Sequence, residues 1–332
     1  MSNRTNLVLW AFVCAAIVRA VGAADPPETV RLVSRIVGKE FLSETVRVGD
    51  LNGDGAPDVL FVQNWNMWGV SHDGQVLWHY AGSVGHYPAV ADVDEDGRDE
   101  VFVGFALIDH DGQVLFQKDA GGAHQDATFL VKPADGRWRL LFGNGGIHCL
   151  SREGEPLWQH PLGEAQHVVA GRFRTDSPLQ FMVIDRTPVS THRRDANAWA
   201  NLFLYDLDGR ELWRRQMQSG EWCIATRLIR WLGPDQPDCA LIYGFSVDQR
   251  GSGKPARIYN GQGEVVDELP LQVGPMPGET DFPSDCYGMA AGVWGDSREE
   301  VLLFGSRGFS IYANTRPLEQ PSLYNMTFYP GM

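Results

Sequence analysis

Two stretches of this chain match nearly position for position. DLNGDGAPDVLFV (50–62) returns as DVDEDGRDEVFVG (92–104), 42 residues later. Each is followed by a second echo, SHDGQVLWHY (71–80) and DHDGQVLFQK (109–118). That echo returns as SREGEPLWQH (151–160), DLDGRELWRR (206–215) and, more weakly, NGQGEVVDEL (260–269). A repeat in the forties constrains the fold more than any other feature, because it marks a propeller or a comparable array.

Each unit reads as four short strands. In the first, TVRVGD leads into an Asp-rich loop and VLFVQ, then WGVSH, a DG turn and QVLWHY. Asp-Gly between alternating apolar residues is a hairpin signal. First-strand pieces recur at 127–132, 167–173, 223–231 and 288–295, giving six units, and no segment sustains a helical period. The expected fold is therefore an all-β propeller of six blades, each of four antiparallel strands. The last unit has three strands, so ETVRLVSRI (28–36) is expected to complete it and close the ring. A seventh blade built from the C-terminal tail is the alternative. The propeller is expected over 25–315, with 316–332 packed on it as a tail.

The first 24 residues have the form of a secretory leader: Arg4, the apolar run 7–18, then VGAA at 21–24. A secreted or periplasmic location follows as an expectation. The formal net charge of -14 argues against nucleic acid or an anionic membrane as partner, and a monomer is expected. Without the leader four cysteines remain, with no CxxC spacing. Buried free thiols are the favoured reading, with one disulfide as the alternative.

The Asp-rich loops begin like EF-hands, then run into strands where a helix would follow. Carboxylates at alternate positions suit a hard cation with oxygen ligands, hence calcium. The expected ligands are Asp50, Asn52, Asp54 and Asp58 in one loop, and Asp92, Asp94, Asp96 and Glu100 in the other. The competing account is that Asp, Asn and Gly simply make good turns.

These two loops resemble FG-GAP/VCBS repeats, the calcium-loop blades of many secreted propellers. The succession GHYPAVADVDEDGRDEVFVGFALIDHDGQVLF (85–116), GGAHQDA (121–127), AQHVVAGRF (165–173), GDSREEVLLF (295–304) and IYANT (311–315) is similar to the propeller of rhamnogalacturonan lyases of polysaccharide lyase family 11. Those lyases are longer, with eight blades and more calcium loops, and the loops of blades 4 and 6 are decayed here (RFRTDSPLQ, WGDSREE).

In a propeller, the residues entering each innermost strand gather at one mouth of the central channel. This chain places His86, His124 and His167 there in consecutive blades, with Trp222, Tyr287 and Glu44 in comparable places. Imidazole, phenol and carboxylate at one mouth suit proton transfer; three histidines could also hold a metal. The alternative for each His is a polar plug paired to a neighbouring blade. Two basic connections, with Arg186, His192, Arg193 and Arg194 in one and Arg250, Lys254 and Arg257 in the other, suit capture of a carboxylate. Trp65 and Trp68 could stack on sugar.

The function expected is β-elimination on an acidic polysaccharide by a secreted, calcium-stabilised propeller. Arg193 or Arg194 would neutralise the uronate carboxylate, His124 or His167 would take the proton, and Tyr287 or His86 would protonate the leaving oxygen. Glu44 and Asp126 are the nearest acidic residues for a hydrolytic route. The rival is a non-catalytic propeller that binds carbohydrate or protein at the same mouth.

Overall fold

The computed structural model describes residues 45–63, 66–118, 125–143, 145–185, 200–217, 225–243, 256–269, 287–293, 297–305 and 308–317. They form six antiparallel sheets in which strands pair in chain order. The first contains β1 (Thr45–Gly49), β2 (Asp58–Gln63), β3 (Asn66–Val70) and β4 (Val76–Ala81). The second contains β5 (Ala89–Ala91), β6 (Glu100–Phe102), β7 (Ala106–Ile108) and β8 (Val114–Gln117). The third contains β9 (Ala127–Val131), β10 (Arg139–Gly143), β11 (Ile147–Leu150) and β12 (Pro156–His160). The fourth contains β13 (Ala165–Gly171), β14 (Gln180–Asp185), β15 (Asn201–Asp206) and β16 (Glu211–Gln216). The fifth contains β17 (Ala225–Ile229), β18 (Cys239–Tyr243), β19 (Ala256–Tyr259) and β20 (Val265–Leu269). The sixth has three strands, β21 (Tyr287–Ala291), β22 (Glu300–Gly305) and β23 (Gly308–Tyr312). Among the described residues there is no helix long and apolar enough to cross a membrane.

The sheets follow one another as propeller blades do. The first strand of each lies against the first strand of the next, from β1 through β5, β9, β13 and β17 to β21. Five apolar cores fill the five seams between consecutive sheets. Leu60, Met67 and Trp78 meet Val101 and Ile108 at the first seam, and Phe102 meets Phe142 at the second. Ile229, Leu241 and Ile258 meet Val301 and Leu303 at the fifth. The middle strands β10, β14 and β18 are buried throughout, because both faces of a middle strand are covered by neighbouring sheets.

The second echo of the repeat has a single structural meaning. In each four-stranded sheet the third and fourth strands are joined by the same turn. Its first residue (Ser71, Asp109, Ser151, Asp206 or Asn260) donates its N–H to the carbonyl four residues on. That residue also accepts from the glycine three residues on. Those glycines have positive φ, +96° at Gly74 and +80° at Gly154 for example, and the strand register shifts immediately beside each turn. The two-residue Asp-Gly hairpin suggested by sequence is thus a longer turn with a left-handed glycine and a bulge.

The aromatic of the same echo plugs the next sheet. Trp78 packs on Gly112, Phe116 on Gly154, Trp158 on Gly209 and Trp213 near Gly263, where a side chain on any of these glycines would collide. Two plugs also donate their indole N–H across the seam, Trp158 to Leu207 O (3.1 Å) and Trp213 to Gly261 O (2.8 Å). In the fifth sheet the plug position is Asp267. It accepts from Trp231 Nε1 (2.6 Å) and pairs with Arg316 (2.6 Å), so this seam is clasped by polar groups. Cys149 and Cys239 are buried free thiols, their pKa values pushed up to about 12 by burial.

Candidate functional site

The Asp-rich loops join first to second strands and fold by carboxylates accepting backbone N–H groups. Asp50 Oδ1 accepts from Gly53 (2.8 Å) and Asp54 (3.2 Å), and Oδ2 from Gly55 (2.9 Å). Asp92 does the same for Asp96 (3.0 Å) and Gly97 (3.1 Å). The ninth residue ties back to the second in four sheets. Asp58 accepts from Leu51, Glu100 from Val93 and Glu300 from Val293, while Gln180 takes the adjacent N–H of Arg174. The connections of the fourth and sixth sheets keep this tie with only one more carboxylate of the run, Asp176 or Asp296 at the fifth place. The run of acids in the first two sheets is therefore more than the connection itself requires.

Position nine differs between the two intact loops. Asp58 uses both oxygens, Oδ2 for Leu51 N–H (3.0 Å) and Oδ1 for His72 N–H (2.9 Å). Glu100, one methylene longer, uses Oε2 for Val93 N–H (2.7 Å) and Asp94 N–H (3.1 Å). Its Oε1 is buried with no partner. Burial raises Asp58, and raises Glu100 to about 7. In the second loop the ligand atoms of Asp92, Asp94 and Asp96 lie within 4.8 Å of one another, as do those of Asp96, Glu100 and His110. This oxygen-rich arrangement fits a dication.

A second constellation lies where the first strands meet. His86 and Tyr87 enter β5, Asp126 precedes β9, and Gln166 and His167 open β13. Arg47 and Arg227 are the third residues of β1 and β17. The Tyr87 ring stands between two imidazoles, with centroids 6.2 Å from His86 and 6.1 Å from His167. Arg47 lies over the same ring, 5.8 Å from its centroid, anchored by Nε donating to Pro88 O (2.9 Å). Arg227 donates from Nη1 to His167 Nε2 (3.2 Å) and lies 6.0 Å from the Tyr243 ring centroid. On the other flank, His86 Nε2 is 3.8 Å from Asp126 Oδ1, which also accepts from Gln166 Nε2 (3.3 Å).

The electrostatics follow from this crowding. Burial, then the charges of Arg227 and Arg47, lower His167 to about 3, so the imidazole is neutral. Arg is donor-only, so Nε2 is the acceptor nitrogen and Nδ1 carries the proton; Nδ1 is buried without a partner. Burial also lowers Arg47, opposed by Tyr87 and reinforced by Arg227. The result is a neutral base, a phenol and two guanidiniums in one place.

His86 and His167 are thus joined through Tyr87. His124 lies outside the described residues, as do Glu44, Trp65, Arg186, His192, Arg193, Arg194, Trp222, Arg250 and Lys254. Tyr287 opens β21, and only its backbone is described. One expectation is corrected. Arg257 is not in an open basic connection: it is buried in β19, 2.9 Å from Glu268. Trp68 stacks one face of its ring on His79 (4.9 Å, 17°). Arg47, Tyr87 and Arg227 escaped the sequence reading, which looked before each first strand. The signal was TVR (45–47) against ATR (225–227), an arginine at one repeat position in two blades.

Comparison with known proteins adds a family match over part of the chain, and a fold. Residues 58–138 match the rhamnogalacturonan lyase family 11, C-terminal domain. A rhamnogalacturonan exolyase, YesX of Bacillus subtilis (strain 168), is 48% identical over 51 residues, 15% of this chain and 8% of that protein. The crystal structure of rhamnogalacturonan lyase YesW superposes with a TM-score of 0.54 at 20% identity, covering 85% of this chain and 47% of that one. The exotype rhamnogalacturonan lyase YesX gives 0.54 at 18% identity, covering 82% of this chain and 46% of that one. A Bacillus licheniformis family 11 lyase gives 0.52 at 19%, covering 84% and 46%. The chain spans about half the length of these structures, and at such identity the likeness is one of fold. A relation to the rhamnogalacturonan lyases of family 11 is therefore carried by residues 58–138 and by an all-β architecture of the same kind.

Proposed function

We propose that the Arg47–Tyr87–His167–Arg227 constellation cleaves a uronate-containing polysaccharide of the rhamnogalacturonan kind by β-elimination. The single observation that carries this is a neutral imidazole bonded to Arg227 and set edge-on to the Tyr87 ring, over which Arg47 lies. Arg47 and Arg227 take the uronate carboxylate and withdraw charge from it. As Arg227 turns to the carboxylate, it leaves His167 Nε2 free to take the C5 proton. The electron pair left on C5 forms the C4–C5 double bond, the C4–O bond breaks, and the leaving oxygen takes a proton from Tyr87 or His86. Binding the carboxylate offsets one of the two positive charges and raises the basicity of His167 when a base is needed. His124 and Tyr287, and Arg186, Arg193, Arg194, Trp65 and Trp222 as sugar contacts, remain part of the proposal.

The same reading gives the scaffold six blades closed by residues 28–36 joining the sixth sheet, with a seventh blade as the alternative. Support comes from apolar side chains exposed on the flanks that closure would cover: Val48 on β1 (64% exposed) and Phe309 on β23 (67%). The proposal includes calcium held by Asp50, Asn52, Asp54 and Asp58 and by Asp92, Asp94, Asp96 and Glu100, where it would neutralise clustered acids and fix the loops. It also includes export directed by residues 1–24 and a monomeric chain.

A second reading is favoured by one observation. Arg227 occupies His167 Nε2, the atom a base must use, so in this reading the same constellation binds polysaccharide without turnover. Incubation with a panel of uronate polysaccharides, read by the ultraviolet absorbance of the unsaturated uronate, separates the two. Product formation that Arg227→Ala abolishes supports the lyase. Retained polysaccharide binding with no product on any substrate supports the binding module.

A further inference from the structure

Where the second and third sheets meet, three connections enclose a cavity of about 200 Å³. Arg137 and Trp138 of the β9–β10 connection line it, with Ser151 and Arg152 of the β11–β12 turn, Leu157 of β12 and Glu95 of the β5–β6 loop. In antiparallel sheets whose strands pair in chain order, first-to-second and third-to-fourth connections share one end. That end is opposite to the one where the first strands begin, so the cavity lies away from His86, Tyr87 and His167. The charges around it are almost matched. Lys132 pairs with Glu95 (2.8 Å), Arg139 with Asp135 (3.0 Å) and Arg152 with Glu153 (2.8 Å). Arg137 is the exception. Its backbone N–H donates to Asp135 (2.9 Å), while its exposed guanidinium enters no ion pair among the described residues. Glu95 is the one residue other than glycine with a positive φ (+70°) among the described residues; the same place in the first loop is Gly53 (+76°). Side chains rarely adopt this conformation. Here it carries the carboxylate across the seam to Lys132 and to 4.0 Å from Arg152, so a disfavoured backbone holds one wall of the cavity in place. Glu95 is not among the calcium ligands expected of its loop, and no contact with a ligand is asked of it.

We propose that this cavity binds a single acidic sugar ring, a uronate unit, at the end of the molecule remote from the His86–Tyr87–His167 constellation. One unmatched guanidinium calls for one carboxylate, which Arg137 can hold through two N–H groups. Arg152 is half exposed and lies between Glu153 and Glu95, so it can turn to ligand hydroxyls. The half-buried Trp138 ring and the exposed Leu157 give the apolar surface that the C–H face of a sugar covers. The cavity is smaller than the ~300–1,000 Å³ usual for drug-sized ligands, and so suits one ring. A neutral sugar would leave Arg137 unmatched, and a bare inorganic anion would leave Trp138 and Leu157 uncovered. That the ring belongs to a polymer rests on the function proposed above; the chemistry of the cavity does not. On that reading this end keeps the protein on the polysaccharide while the channel mouth works on another stretch, and the two contacts reinforce each other.

The test is calorimetric titration of the full chain with a galacturonate trimer, in the wild type, Arg137→Ala, Arg227→Ala and the double variant. Arg227→Ala is expected to keep one binding event, and adding Arg137→Ala to weaken that event at least about tenfold. Arg137→Lys should recover part of the loss, because a point charge replaces a fork. Arg137 is exposed, so folding is not at stake in these variants. Galactose and sulfate, each at the concentration of the trimer, are expected not to displace it from the Arg227→Ala chain. Arg137→Ala alone is expected to leave turnover of the trimer unchanged and to lower retention on immobilised polygalacturonate. The proposal is overturned if the wild type does not bind the trimer, if Arg227→Ala alone removes all binding, or if Arg137→Ala leaves the remaining event unchanged. Displacement by sulfate would make the cavity a plain anion site, and displacement by galactose a neutral-sugar site; either overturns it. Failure of the lyase reading shows separately, as absence of product with this binding intact.

Discussion

Arg227 donates to the acceptor nitrogen of His167 across 3.2 Å, from the first strand of one sheet to that of its neighbour. Burial first, and then the charge of Arg227, keep the imidazole neutral, and the contact occupies the lone pair that a base must use. A ligand that draws Arg227 away therefore arms His167 at the moment of binding.

Arg227→Ala is expected to lower kcat/KM on a polyuronate by about 100- to 1000-fold, the scale of losing one preorganised charge contact in a transition state. Arg227→Lys should recover part of it, because a point charge replaces a fork. His167→Gln should lower kcat with little change in polysaccharide affinity. Steady-state kinetics with a parallel binding assay checks all three; an unaltered kcat in His167→Gln would remove the base assigned here.

The depressed basicity of His167 has a stability consequence. Its native value is about 3 against an ordinary 6.5, so between these pH values the unfolded chain binds the extra proton and the folded one does not. Stability from this group is complete above pH 6.5 and falls as pH drops toward 3. Wild type is expected to lose more stability across that window than His167→Gln. Parallel acid slopes in urea titrations would contradict it.

The plug at the seam of the third and fourth sheets combines shape with a hydrogen bond. Trp158→Ala is expected to cost about 3–5 kcal/mol, and Trp158→Phe less, since it keeps the ring and loses the bond to Leu207 O. Gly209→Ala should also be severe, because φ is +82° and the added carbon meets the Trp158 ring. Thermal melts of the three variants, ranked against wild type, check the order.

Calcium is expected to raise the melting temperature of chelator-treated protein, with an increment that grows with the logarithm of calcium concentration above Kd. Asp92→Asn, which weakens a carboxylate central to the second loop, should shrink the increment more than it lowers the calcium-free melting point. Equal melting curves with and without calcium would leave the loops as plain turns.

Removal of residues 28–36 is expected to lower the melting temperature and increase binding of an apolar dye, because Val48, Phe309 and Ile311 would lose their proposed cover. A truncated chain as stable as the full one would exclude the closure proposed here.

Much of the architecture was legible because the repeat is written twice in the first two sheets, in the acidic loop and in the turn with its aromatic, and the turn recurs in the next three. Strand number and order followed from TVRVGD, VLFVQ and their later copies. The meaning of DGxxLW as a turn plus an inter-sheet plug was not legible, since the partner glycine lies in the next repeat and only packing reveals it. The site was half legible. His86 and His167 stood out by position, but Arg47 and Arg227 sit inside strands, where alternation makes any one residue look like a solvated face. Tyr87 was hidden beside His86 because the repeat comparison kept one residue per blade.

The aromatic plugs also run in one direction, the first four sheets each setting a ring on or near the turn glycine of the next. An array built this way carries an address at each end. In the closed ring proposed above, Gly74, the turn glycine of the first sheet, would be the seat for the strand that finishes the outer edge of the sixth, and joining the two ends would be keyed to a defined register, more than a matter of covering oily surface.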